Sequence, residues 1–153
     1  MSSSSRRSFV LHSCQALSLV TVGALLDACA KNPMSASSAP ELPRVSASLS
    51  GGVATIDIAS SAALSAASGA ALVSAGSTSL LVARTAADAF TAVTSVCTHE
   101  GCTITGYENS IYTCPCHGSE FTTSGAVRVG PASQPLRQFA TSFDGSTLRI
   151  TLA

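Results

Sequence analysis

The stretch CTHEGCTITGYENSIYTCPCHGSEF, Cys97 to Phe121, gathers four of the chain's six cysteines and two of its three histidines into 25 residues. It divides into two loops, CTHEGC with Cys97, His99 and Cys102, and CPCHGS with Cys114, Cys116 and His117. Three chemistries suit such a set. Two disulfides would use the four cysteines, but they leave both histidines without a role and crowd Cys114 against Cys116, and cysteine counts do not fix connectivity. A zinc ion accepts mixed thiolate and imidazole tetrahedra but leaves two cysteines over, in an exported setting where domains staple themselves with disulfides. A [2Fe–2S] cluster with two thiolates on one iron and two imidazoles on the other takes one Cys and one His from each loop. One cysteine per loop then remains to join the loops.

Both loops resemble, at every fixed position, the cluster-binding boxes C-T-H-x-G-C and C-P-C-H-G-S of Rieske iron–sulfur proteins. The resemblance covers roughly Val53 to the C-terminus. It implies one [2Fe–2S] cluster, with Cys97 and Cys114 on the inner iron, His99 and His117 on the outer iron, and a disulfide between Cys102 and Cys116. The implied fold is all-β, an antiparallel Rieske-type β-sandwich with a cluster-binding subdomain of two loops. GPASQP, Gly130 to Pro135, resembles the proline-containing loop that covers the third side of the cluster in this family, which brings Gly130 and Pro131 to the site. Gly118 and Ser119 complete the second box. Ser119 matches the serine whose hydroxyl bonds a bridging sulfide in high-potential relatives. Phe121 stands where those relatives carry tyrosine, and a phenyl ring has no donor for a ligand sulfur. Glu100 stands where respiratory relatives usually carry leucine, and a carboxylate is costly to bury in an apolar quinol site.

Outward from this stretch the chain is sparing in charge. Its 153 residues carry eight basic and eight acidic side chains, six against seven from Lys31 onward, so there is no basic footprint for nucleic acid. The length suits one domain with one core. The start, MSSSSRRSFVLHSCQALSLVTVGALLDACA, sets two arginines before 19 uncharged residues, Ser8 to Leu26, as in an export signal. SRRSFV resembles a twin-arginine signal, the route for proteins that load a cofactor before export. LLDAC makes Cys29 a lipidation candidate, ACA at Ala28 to Ala30 offers a small-x-small cleavage site, and the apolar segment is close to the ~20 residues of a membrane anchor. Residues 1–30 are thus expected to be a signal, lipobox or anchor, 31–50 a Ser/Ala/Pro-rich tether, and 51–153 the folded domain.

Within that domain, short runs with period-two alternation or β-branched enrichment predict strands near 53–58, 71–73, 80–84, 89–96, 103–107, 111–113, 126–129, 136–143 and 147–152. Residues 60–71 are expected to be irregular or one helical turn. Asp144–Gly145 and Glu108–Ser110 are read as hairpin turns. Functionally, the expectation is one-electron transfer by a periplasmic or membrane-tethered carrier of moderate-to-low potential, a protein or subunit rather than a complete enzyme. Its expected partners are redox proteins, with cytochromes of b or c type and quinol among the candidates. Two alternatives are the Rieske subunit of a cytochrome bc-type quinol:cytochrome c oxidoreductase and the small subunit of an arsenite-oxidase-like complex.

Overall fold

A computed structural model describes residues 39–153; the signal, Cys29 and the first part of the expected tether lie outside the described residues. In chain order the strands are β1 (Arg44–Ser46), β2 (Ser48–Ser50), β3 (Val53–Asp57), β4 (Ala70–Ala75), β5 (Thr78–Ala86), β6 (Ala89–Thr94), β7 (Gly106–Glu108), β8 (Ile111–Thr113), β9 (Glu120–Thr122), β10 (Val127–Val129), β11 (Gln138–Phe143) and β12 (Thr147–Thr151). The alanine-rich stretch contributes one helical turn, α1 (Ala62–Ser65), because serine and glycine dilute its helix formers.

Strands β4 and β5 are apolar on consecutive positions, and the reason is that both of their faces are covered. Successive side chains of a strand point to opposite faces. Ala71, Val73, Leu80 and Val82 enter a core inside the main sheet, while Leu72, Leu81 and Ala83 enter a second core shared with Cys97, Tyr112, Cys114 and Phe121. Each fully buried leucine or valine contributes roughly 1.5–3 kcal/mol relative to exposure. The two strands therefore act as a common wall between the main sheet and the part of the chain that carries the cysteines.

The main sheet runs β1-β4-β5-β6-β11-β12-β3-β2. Its two outer strands are separated in the chain by Ala47 alone, so one continuous segment supplies both edges and the sheet curls closed into a barrel. The pairing is antiparallel except for β1 on β4, which is parallel. A smaller sheet, β10-β9-β8-β7, carries the two loops that hold the clustered cysteines and histidines. Its β7–β8 turn uses Asn109 and Ser110 at φ 51° and 63°, the left-handed pair that a tight hairpin needs. The last hairpin works differently, since only Gly145 takes positive φ, 95°, and the Asp144 carboxylate accepts from the Ser146 and Thr147 N–H groups.

Residues 39–50, the end of the expected tether, are built into the fold. The Tyr107 N–H donates to Pro40 O at 2.9 Å, Leu42 N–H to Thr105 O at 2.7 Å and Leu72 N–H to Pro43 O at 2.9 Å. The segment thus pairs first with the edge of the small sheet and then closes the barrel. Compared with a chain that begins at Ala39, one that begins at Gly51 should lose cooperative unfolding in calorimetry. A Gly51 truncation that kept its midpoint would show the segment to be dispensable.

Candidate metal centre

The first loop connects β6 to β7 and the second connects β8 to β9. They are hydrogen-bonded alike. Cys97 N–H donates to Cys102 O at 2.8 Å and Gly101 N–H to Cys97 O at 2.9 Å; Cys114 N–H donates to Ser119 O at 2.9 Å and Gly118 N–H to Cys114 O at 3.0 Å. Each loop is closed by a glycine four residues after its first cysteine, with Gly101 at φ 75° and Gly118 at φ 72°. A Cβ at either glycine would meet nothing within 4 Å, so the requirement is the left-handed backbone and not space.

Three links tie these loops and the Gly130–Pro135 segment into a ring. Cys102 and Cys116 form a disulfide. Thr98 Oγ1 donates to Gln134 O at 2.6 Å, joining the first loop to the proline segment. Ala132 N–H donates to Ser119 Oγ at 3.0 Å, joining that segment to the second loop. Gly130 and Pro131 are exposed while Ala132 is buried, so Ala132 is the segment's inward contact. With one lone pair of its oxygen engaged by Ala132, the fully buried Ser119 hydroxyl keeps its own proton to donate elsewhere.

The disulfide removes two cysteines from the candidate ligands and leaves Cys97 and Cys114 as free thiols, 2% and 1% exposed. Burial pushes the Cys114 thiol's pKa up; the Cys116 and His117 N–H groups pull it down, while the adjacent Cys97 thiol adds to the rise. The imidazoles stand further out, with side chains 28% exposed for His99 and 36% for His117. Their rings lie edge to face, 4.9 Å apart at 88°. His99 Nδ1 is buried with no hydrogen-bond partner, and its Nε2 points outward, 3.9 Å from Glu100 Oε1. A buried, orphaned ring nitrogen and two buried thiols, supplied by the same two loops, are donors that a metal group would satisfy. These residues therefore fit a cluster with thiolates on the inside and imidazoles on the outside.

Phe121 is fully buried and lies across from Tyr112 on the neighbouring strand. The Tyr112 hydroxyl is buried without a partner, and burial, then the nearby Tyr107, raise its pKa well above the ordinary phenol value. Sequence reasoning did not single out Thr98, Tyr112, Ala132 or Gln134. Thr98 carried a signal, being a fixed position of the first box; the others acquire their roles only through tertiary contact.

Residues 55–140 match the family model of the Rieske [2Fe–2S] domain. The chain is 38% identical over 66 residues to the cytochrome b6-f complex iron–sulfur subunit of Chlorobaculum thiosulfatiphilum, covering 42% of this chain and 36% of that one. It is 44% identical over 57 residues to the Rieske subunit of the mitochondrial cytochrome b-c1 complex of Schizosaccharomyces pombe, covering 36% of this chain and 25% of that one. The matches thus span about a third or less of these relatives' lengths. Among solved structures, the plasma membrane Rieske protein of Synechocystis PCC 6803 is 32% identical with a TM-score of 0.45, over 49% of this chain and 78% of that one. The ferredoxin of carbazole 1,9a-dioxygenase from Nocardioides aromaticivorans IC177 shares the fold at 18% identity and a TM-score of 0.52, over 65% of this chain and 98% of that one.

Replacing both Cys102 and Cys116 by serine should cost roughly 3 kcal/mol, the loop-closure value for a ring of about this length. Denaturant unfolding measures it, and an unchanged midpoint would mean that the disulfide does not hold the loops.

Proposed function

The chain belongs to the Rieske [2Fe–2S] domain family, whose members bind one [2Fe–2S] cluster, and from that premise we propose that it is an exported one-electron carrier. In this reading the twin-arginine route delivers it, already loaded, to the periplasm or the outer face of the cytoplasmic membrane. Cys97 and Cys114 hold the inner iron and His99 and His117 the outer one. The supporting observation is the polarity of the donor set, with both thiols sealed in the core and both imidazoles at the surface. Electrons then enter and leave through the histidine edge, while the buried thiols and their backbone donors keep water from the inner side.

The cluster supplies a one-electron couple, which in this family spans about −150 to +300 mV. Donors to its sulfurs tune the potential within that span. Ser119 keeps a hydroxyl proton to give, and Phe121 has none. With one donor kept and one lost, the couple lies below the top of the range, which suits a low-potential partner such as menaquinol or a redox protein of similar potential.

The second reading is the Rieske subunit of a cytochrome bc-type complex, favoured by identity to the b6-f and b-c1 subunits. It places the same histidine edge against a quinol. Glu100, 62% exposed beside both rings, would be costly to bury there, and so it favours the carrier.

Reduced full-length protein should give a Rieske-type EPR signal that Cys114→Ser or His117→Ala abolishes; a signal surviving both changes would contradict the ligand set. Phe121→Tyr should restore a donor and move the midpoint potential positive in an EPR-monitored titration, and an unmoved or more negative midpoint would remove Phe121 from the account.

A further inference from the structure

Glu100 lies between the two histidines in the chain's fold and not only in its sequence. Its two carboxylate oxygens reach different rings, with Oε1 3.9 Å from His99 Nε2 and Oε2 3.8 Å from His117 Nδ1. Its backbone belongs to the turn closed by the Gly101 N–H donating to Cys97 O, followed by the positive φ of Gly101. The two rings it faces come from loops joined by the Cys102–Cys116 disulfide, which keeps the loops together.

We infer that Glu100 is a positioning residue shared by both histidine ligands, and that it sets how readily the site accepts an electron. The inference rests on the reading that His99 and His117 hold the outer iron. Ligating imidazoles commonly direct their free ring nitrogen to a carboxylate, which fixes ring orientation. Here one carboxylate faces two rings, at Nε2 of His99 and Nδ1 of His117, at distances slightly beyond a direct hydrogen bond. It thereby holds the edge-to-face arrangement from outside. Its full negative charge opposes the arrival of an electron nearby, which favours the oxidised state. Because Glu100 is largely exposed, salt screens that charge. A residue that only packed against the loop would produce no such salt dependence.

The test uses full-length protein loaded with its cluster and the variants Glu100→Gln, which keeps shape and removes charge, and Glu100→Asp, which keeps charge. Midpoint potentials are measured by EPR-monitored titration at low and high ionic strength. Glu100→Gln should retain the Rieske signal and shift the one-electron equilibrium towards reduction by at least threefold, about 28 mV. The shift should shrink at high salt, and Glu100→Asp should recover most of the wild-type value. If Glu100→Gln loses cluster while Glu100→Asp keeps it, the charge is needed to hold the rings, which also supports the inference. An intact Glu100→Gln cluster with the wild-type potential would overturn it, as would loss of cluster in both variants. Absence of a Rieske signal in the wild type would instead overturn the ligand assignment on which it rests.

Discussion

Two loops that leave different pairs of strands meet at one covalent bond, Cys102 to Cys116, and the placement of the donors at the tip depends on it. Neither loop is long enough to bury a core of its own. Each is shaped by its own pair of backbone hydrogen bonds and a left-handed glycine, so each presents its cysteine and histidine in a set direction. What local shape cannot supply is the distance between the loops. The disulfide supplies it, and the contacts from Thr98 to Gln134 and from Ala132 to Ser119 close a third side with the proline segment.

Beneath this ring the packing divides the site into an inner and an outer half. The thiols belong to the same core as Leu72, Leu81 and Phe121, on one face of strands whose other face lines the barrel. The imidazoles emerge at the surface. A low-dielectric inner side disfavours a free thiolate, which is why burial raises the Cys114 pKa and why a metal in place of the proton suits the position. The exposed side leaves both rings within short reach of the surface. The fold therefore makes the site directional before any partner is considered.

Much of this was legible in the sequence. Cysteine and histidine have few uses, and their spacing in two boxes restricts those uses further, so the candidate ligands and the resemblance could be read directly. Most strands were legible too, since alternation and turn residues are local. The missed elements failed for identifiable reasons. Arg44–Ser46 and Ser48–Ser50 lie in a serine- and proline-rich stretch whose composition suggests a tether, although Val45, Ala47 and Leu49 alternate as a strand should. Glu120–Thr122 has three residues directly after the second loop, too few for a period to show. The bond from Thr98 spans 36 positions, and the approach of one Glu100 carboxylate to two rings exists only once the loops are joined.

The central claim is that one iron of a two-iron cluster is held by two imidazoles, one from each loop. Pulsed EPR of the reduced full-length protein, with histidine labelled by nitrogen-15, reads this directly. The account predicts two strongly coupled histidine nitrogens in the unsubstituted protein. Spectra with no histidine coupling, or with a single coupled nitrogen, would contradict it.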